Sequence, residues 1–201
     1  MFGDPLNHLK LGNTVELRNL TSKISVGYVG QAIDAYVENG IPYLRTQNVR
    51  VNHIDLNGII YVSKNFHQRN KKSVVHPGDV LVSRVGVNRG MAAVIPSDLP
   101  EANVANCLII GGSSKYESEY LAHYLNFSYG KSPAFGSSVG SAQGVINTAI
   151  LRVWQIYCPD IELQRQYVAF IKQTDKSKLA VQQSIETLQT LKAKLMQDYF
   201  G

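Results

Sequence analysis

The sequence predicts an α+β protein in which a β-rich globular domain with small helices is followed by a long C-terminal coiled-coil helix. Up to about Cys158, short runs of β-branched and aromatic residues alternate with Gly, Pro, Asn and Asp, which is typical of strands joined by turns. From Ile161 to Phe200 there is no proline or glycine, so this whole stretch can be helical. We therefore divide the chain into a globular domain, residues 1–158, and a long helix, residues 159–201.

Five runs in the globular domain have the composition of strands, and they lie at residues 41–45, 58–63, 79–84, 91–95 and 103–111. Segment 118–129 instead repeats its apolar residues at helical spacing, which predicts a helix packed on the sheet. We interpret His123 within it as a boundary residue rather than a ligand. Segment 149–159, AILRVWQIYCP, is typical of a short helix that leads into a closing strand.

A hairpin is predicted at residues 76–95, where two apolar runs flank a polar turn that carries Arg84 and Arg89. Two interpretations stay open at this point. The turn could only close a sheet, with Arg84 paired to Asp79. Alternatively, it could hold a row of hydrogen-bond donors towards a negatively charged partner.

The positive charge of the chain is concentrated around this hairpin. The whole chain has a formal net charge of +5, whereas residues 45–89 carry eight basic side chains against only Asp55 and Asp79. Such clustering favours a nucleic-acid partner, and a solvated surface is the alternative. No run of eighteen apolar residues and no secretory leader occur, so we expect a cytoplasmic protein without a membrane span.

No catalytic, cofactor or metal motif is recognisable, so we expect neither an enzyme nor a cofactor. Cys107 and Cys158 stand alone, without metal-ligand spacing, and are expected to be reduced thiols. The glycine-rich segment 131–147 lacks the Gly-Lys-Ser/Thr ending of a phosphate-binding loop, so nucleotide binding is not expected. A loop of this length is usually functional or disordered.

The long helix carries an apolar seam over about three heptads. Its seam residues are Val181, Ile185, Leu188, Leu195 and Tyr199, with Lys192 at the one polar seam position. With a break permitted near residues 174–175, the last 25 residues or so would extend about 37 Å. Such a helix is expected to need a partner. Packing back on its own globular domain is the alternative.

Four segments, in this order, resemble the DNA-specificity subunit of type I restriction–modification systems: GIPYLRTQNV, GDVLVSRVG with RGMAAVI, SAQGVINTAILRVWQIYCP, and IELQRQYVAFI running into IETLQTLKAKLMQDYF. Full-length members carry two target-recognition domains, each followed by a long helix, and the two helices pair antiparallel. This chain has one such unit and resembles a half-length form. The resemblance implies a non-catalytic subunit that binds double-stranded DNA and docks methyltransferase (modification) subunits, and it leaves a restriction subunit open.

If the globular domain reads DNA, its polar turns should carry the contacts, because a sheet core cannot enter a groove. The candidate DNA-binding residues are Arg45, Gln47, Asn48, Arg50, Lys71, Lys72, Ser83, Arg84, Asn88, Arg89, Lys131 and Gln143. By analogy with the family, the seam residues would join two chains into a homodimer that reads a bipartite, palindromic site with an unread gap of about six to eight base pairs. The alternative function is a coiled-coil assembly or regulatory protein whose globular domain binds protein.

Overall fold

The structure, a computed structural model, describes residues 14–129 and 145–200. The chain forms two compact units that divide between Ile161 and Glu162. The boundary that the sequence places after Cys158 lies close to this division and stays a prediction. The first unit is a β-rich body with short helices, and the second is a helix. The predicted fold class matches this description.

The described part of the body contains thirteen short strands. They are β1 (Val15–Glu16), β2 (Ile24–Val26), β3 (Tyr36–Val37), β4 (Ile41–Leu44), β5 (Val49–Arg50), β6 (His53–Ile54), β7 (Ile60–Val62), β8 (Val74–Val75), β9 (Val80–Ser83), β10 (Ala92–Val94), β11 (Ala102–Val104), β12 (Cys107–Ile110) and β13 (Gln155–Ile156). Four of the five predicted runs each contain one strand, and run 103–111 contains most of β11 and all of β12.

A four-stranded antiparallel sheet, in the order β10-β9-β12-β2, forms one layer of the core. Strands β9 and β12 are buried along their whole length, as their continuous apolar sequences predict. Leu81 of β9 is paired with Ile109 of β12, and both side chains belong to the main hydrophobic cluster. The hairpin predicted at residues 76–95 therefore exists, with β9 and β10 as its two arms.

A five-stranded sheet, in the order β3-β7-β4-β11-β8, forms the second layer. Its neighbours are antiparallel except for β4 and β11, which run parallel. Tyr43 of β4 is almost fully buried and packs edge-on against Phe66, with ring centroids 5.6 Å apart. Burial raises the pKa of the Tyr43 phenol, with smaller contributions from neighbouring tyrosines, so this hydroxyl stays neutral.

The chain passes from the second sheet to the first at Ala105 and Asn106. Asn106 adopts a positive φ of 53°, which asparagine tolerates better than most residues and which ends β11. The Ala105 amide donates to the carbonyl of Leu44 at 2.8 Å, and the Arg84 amide donates to that of Asn106 at 3.4 Å. The carboxyl ends of β4 and β9 therefore meet at this crossing, which brings two polar turns together.

The described part of the body also contains three short α-helices: α1 (Lys64–Arg69), α2 (Ser118–Ser128) and α3 (Thr148–Arg152). The Ser63 hydroxyl caps α1 by accepting from the Phe66 amide, and the Asn147 side chain caps α3. Helix α2 packs on the four-stranded sheet through its buried face, as predicted. After α3, strand β13 pairs with β1 and closes the body.

Helix α4 (Ile161–Phe200) is continuous over 40 residues, or about 60 Å. The break permitted near residues 174–175 does not occur: both residues are helical, and the Thr174 hydroxyl donates to the Phe170 carbonyl at 2.9 Å. The unread gap of about six to eight base pairs stays a prediction. Among the described helices, none combines the length and apolar character that crossing a bilayer requires.

Candidate nucleic-acid interface

The turn between β9 and β10, residues 84–90, is called the hairpin tip. The Ser83 amide donates to the Met91 carbonyl at 2.9 Å, and the Gly90 amide donates back to Ser83 at 2.8 Å. Inside the tip, the Arg89 amide donates to Gly86 at 3.1 Å. Gly86 and Gly90 have φ values of 77° and 86°, in the left-handed region that favours glycine. These bonds give the tip a defined backbone.

Asn88 fastens the hairpin tip to the loop that follows β4. Its side chain is only 5% exposed, and its amide nitrogen donates to the carbonyls of Thr46 and Val49, both at 3.1 Å. Its amide oxygen accepts from the Arg50 guanidinium at 3.4 Å. One buried side chain thus holds two turns that lie about forty positions apart in the sequence.

The partner loop, residues 45–50, is fixed by a second buried asparagine. Asn48 is 1% exposed; its side chain accepts from the Arg45 amide at 2.9 Å and donates to the Asp55 carbonyl at 2.8 Å. Arg45 also donates to the Gly58 carbonyl at 3.3 Å, and Arg50 lies 3.7 Å from the Asp55 carboxylate. Gln47 is exposed at the bend of this loop.

Arg84 is half-buried at the start of the hairpin tip, and its Nε atom has no hydrogen-bond partner among the described residues. The sequence alternative that pairs it with Asp79 is wrong: Asp79 binds the Lys23 ammonium at 2.7 Å. The Arg84 charge acts on Cys107, whose thiol pKa is raised by burial and lowered in part by this guanidinium. Cys107 is a buried thiol without a disulfide.

Arg89 is held from a different direction. Its Nε donates to the hydroxyl of Tyr129 at 2.9 Å. The Tyr129 ring lies directly over Gly90, where a Cβ atom would come within 2.4 Å of the ring. Gly90 is therefore required twice, for its positive φ and for this close approach. Sequence reasoning missed Tyr129, because nothing in the segment 118–129 indicates a contact with the hairpin.

A second basic surface lies on α1 and the short 3-10 helix Lys71–Ser73 that follows it. We call this the α1 basic patch, and its members Lys64, Arg69, Lys71 and Lys72 are all exposed. A buried polar network supports the backbone below it. There the Asn103 side chain donates to the Ser73 hydroxyl at 2.7 Å, and its oxygen lies 2.7 Å from the ring of His67. The backbone of the patch is thus held by buried hydrogen bonds, while its exposed basic side chains are long and flexible.

The structure brings some predicted DNA-binding residues together and assigns others structural bonds. Arg45, Gln47 and Arg50 belong to the partner loop and Arg84 and Arg89 to the hairpin tip, and Asn88 bonds these two turns to each other. Asn48, Ser83 and Asn88 are buried, and their side chains bond within the body; the Ser83 hydroxyl donates to the Val85 carbonyl. Lys71 and Lys72 belong to the α1 basic patch, and Lys131 and Gln143 lie outside the described residues. As DNA contacts, all of them stay predictions.

On α4, the five seam residues Val181, Ile185, Leu188, Leu195 and Tyr199 fall on one face and are between 43% and 78% exposed. The body gives no sign of a metal centre: in the part of the chain that the structure describes, no group of three His, Cys, Asp or Glu residues is placed to hold an ion.

The family of the chain follows from its sequence as a whole. Residues 24–191 match the family model described as the type I restriction modification DNA specificity domain. Because the match covers most of the chain, the chain belongs to this family, and the predicted resemblance is confirmed. No curated protein sequence matches the chain.

Solved structures agree with this assignment at the level of the fold. A chain from a study of complex assembly and conformational transition of the type I R-M system is 20% identical, with a TM-score of 0.68 over 92% of this chain and 43% of that one. The HsdS subunit from Thermoanaerobacter tengcongensis is 21% identical, with a TM-score of 0.60 and coverage of 85% and 39%.

A third solved chain, the type I restriction–modification S subunit from M. genitalium, is 14% identical with a TM-score of 0.55, covering 95% of this chain and 48% of that one. The predicted fold class is therefore confirmed. In each comparison this chain spans less than half of the solved chain.

Proposed function

We propose that this chain is a DNA-specificity subunit carrying one target-recognition domain and one spacer helix, and that it directs a methyltransferase to a bipartite DNA site. The observation that carries the proposal is the pair of turns fastened by Asn88. The partner loop carries Arg45 and Arg50, and the hairpin tip carries Arg84 and Arg89. Guanidinium groups in a fixed position match the acceptors of guanine in the major groove and of phosphates. Family membership supports the same function.

The two basic surfaces divide the work of binding DNA. The arginines of the hairpin tip and the partner loop supply base contacts or close phosphate contacts. Lys71 and Lys72 on the α1 basic patch supply phosphate contacts that are independent of sequence. Asn48, Ser83 and Asn88 position these groups and do not contact DNA themselves.

Methylation mapping tests the function as a whole. Genomic DNA from cells with and without this gene is compared while the partner methyltransferase subunits are present in both. We expect one methylated motif to disappear with the gene. A module that makes several phosphate contacts should also lose DNA affinity by about tenfold or more between low and moderate salt. An unchanged methylome together with flat salt dependence would contradict the proposal and favour a protein-binding assembly factor.

Helix α4 joins two copies of the chain in this proposal. Its apolar seam is too exposed for a helix that functions alone in water, and by analogy with the family the two helices pair antiparallel. A two-fold axis through the pair places identical recognition domains on opposite strands, so the site should be an interrupted palindrome. An asymmetric site read by the homodimer would contradict this part of the proposal.

Leu188→Asp and Leu195→Asp test the seam. A carboxylate in an apolar seam must lose its charge or prevent closure, so both variants should be monomeric by light scattering while the body melts as in the parent. Gln183→Asp, on the opposite face of α4, is the matched control and should leave the mass of the dimer unchanged. A parent-like mass for both leucine variants would show that the seam does not join the chains.

A further inference from the structure

Among the large apolar side chains that the structure describes on the body, the most exposed one lies on the hairpin tip. Val87 is 97% exposed, whereas Val80 and Val82, a few residues earlier on β9, are fully buried. A single exposed valine on a surface needs no explanation by itself. This one lies at the centre of the tip, between Arg84 and Arg89, where a polar residue would serve an ordinary turn equally well.

The backbone on both sides of Val87 is fixed. Gly86 before it adopts its positive φ, and Asn88 after it is anchored to the carbonyls of Thr46 and Val49. Because the next residue is buried and hydrogen-bonded, Val87 cannot fold inward without breaking those bonds. A β-branched side chain also has few rotamers to lose on binding. Val87 is thus presented outward at little entropic cost.

The arginines around the hairpin tip favour a negatively charged partner. Arg84 and Arg89 flank Val87 in sequence, and Arg50 reaches Asn88 from the partner loop. The four guanidinium groups on these two turns attract a polyanion, and Val87 is an almost fully exposed apolar residue of the same hairpin tip. This inference rests on the proposed function: when the hairpin tip binds DNA, the arrangement places an apolar group against the edges of the bases.

We propose that Val87 is a specificity-determining residue that recognises one thymine through contact of its methyl groups with the C5-methyl group of that base. The thymine methyl is the apolar feature of the major groove, which is wide enough for a two-stranded β-ribbon. The residues that wedge between base steps in the minor groove are typically longer or flatter, such as Phe, Leu or Met. Valine is short and branched, which suits surface contact with a methyl group.

A thymine-to-uracil scan tests the inference, because this replacement removes a single methyl group and keeps all base pairing. The duplex is the motif obtained from methylation mapping, and each of its thymines is replaced in turn by deoxyuridine. The affinity of the complete chain is measured for the parent and for Val87→Ala. Val37→Ala, an exposed valine on edge strand β3, is the matched control.

We expect one position at which uracil weakens binding by the parent about fourfold, the equivalent of burying one methylene-sized group. At that position uracil should cost Val87→Ala little, whereas Val37→Ala should keep the full penalty. Because Val87 is so exposed, Val87→Ala should melt like the parent. Equal uracil penalties for the parent and Val87→Ala, or none at any position, would overturn the inference while the proposed function stands. Failure of the parent to bind its mapped motif would overturn both.

Discussion

The two basic surfaces of the body differ in how their cations are held. On the hairpin tip and the partner loop, Arg50, Arg84 and Arg89 are half-buried, and Arg50 and Arg89 hydrogen-bond to neighbouring side chains. On the α1 basic patch, Lys71 and Lys72 are exposed on a short 3-10 helix. Both surfaces are positively charged. They differ in how firmly burial and hydrogen bonds hold their basic side chains.

Fixation matters because a base edge is recognised by geometry and a phosphate largely by charge. A guanidinium is a planar fork of donors, and holding it in place before binding removes part of the entropy cost of a bidentate contact. An ammonium on a flexible chain remains strongly hydrated and can follow a phosphate wherever the backbone runs. We therefore propose that the hairpin tip contributes sequence preference and that the α1 basic patch contributes salt-dependent affinity.

The largest effect is expected from Asn88→Ala. This change removes the hydrogen bonds that hold the hairpin tip to the partner loop, and it keeps every basic residue of the chain. Two buried carbonyls lose their donor, at a cost to the free energy of unfolding of about 1–3 kcal/mol. DNA affinity should fall at least about tenfold, with loss of preference at several base pairs because the whole tip is released. Thermal melting and binding to a panel of duplexes measure both effects. If the variant is destabilised but keeps the sequence preference of the parent, holding the hairpin tip in place is not the source of that preference.

Arg84→Ala and Arg89→Ala should have the next largest effect. A base-reading arginine should cost about 1–3 kcal/mol of binding free energy and relax preference at one position, whereas a phosphate contact should weaken all sequences alike. Affinities for single-base variants of the motif separate the two roles. If both variants bind like the parent but melt several degrees lower, the hairpin tip is structural.

The smallest effect is expected from Lys71→Ala and Lys72→Ala. Each should weaken binding to all duplexes by a similar factor and reduce the slope of log affinity against log salt by about 1. The preference among duplexes should be unchanged, and so should the melting temperature, because both side chains are exposed. A change of preferred sequence in either variant would remove the distinction between the two surfaces.

Much of the fold could be predicted from sequence where a pattern repeats over enough residues. Strands β4, β9 and β10 lie within predicted runs, and α4 covers the stretch without proline or glycine. Strands of two residues, such as β3 and β8, are too short to carry a periodic pattern, and α1 spans fewer than two turns. Run 103–111 was predicted as one strand because the positive φ at Asn106 is set by the crossing between sheets.

The candidate site was predicted less completely, for a physical reason. The sequence indicates that Asn48 and Asn88 lie in turns and that Ser83 lies at the end of a strand beside a turn, and polar residues at such places are usually exposed. Their partners, such as the Thr46 and Val49 carbonyls for Asn88, become known only when distant turns meet in the folded body. The charged members of the site were easier to find, because arginines cluster in the sequence itself.

The pairing of β1 with β13 has a consequence for the order in which the chain folds during synthesis. Val15 is hydrogen-bonded alongside Ile156, and the Leu17 amide donates to the Trp154 carbonyl, so the first described strand waits for one of the last residues of the body. The β1–β13 pair therefore cannot form until the ribosome has made and released residues 155 and 156, later than the other described strands of the body. Closure of the body is thus a late step of synthesis, and a nascent chain that stops before residue 155 leaves β1 without its partner strand.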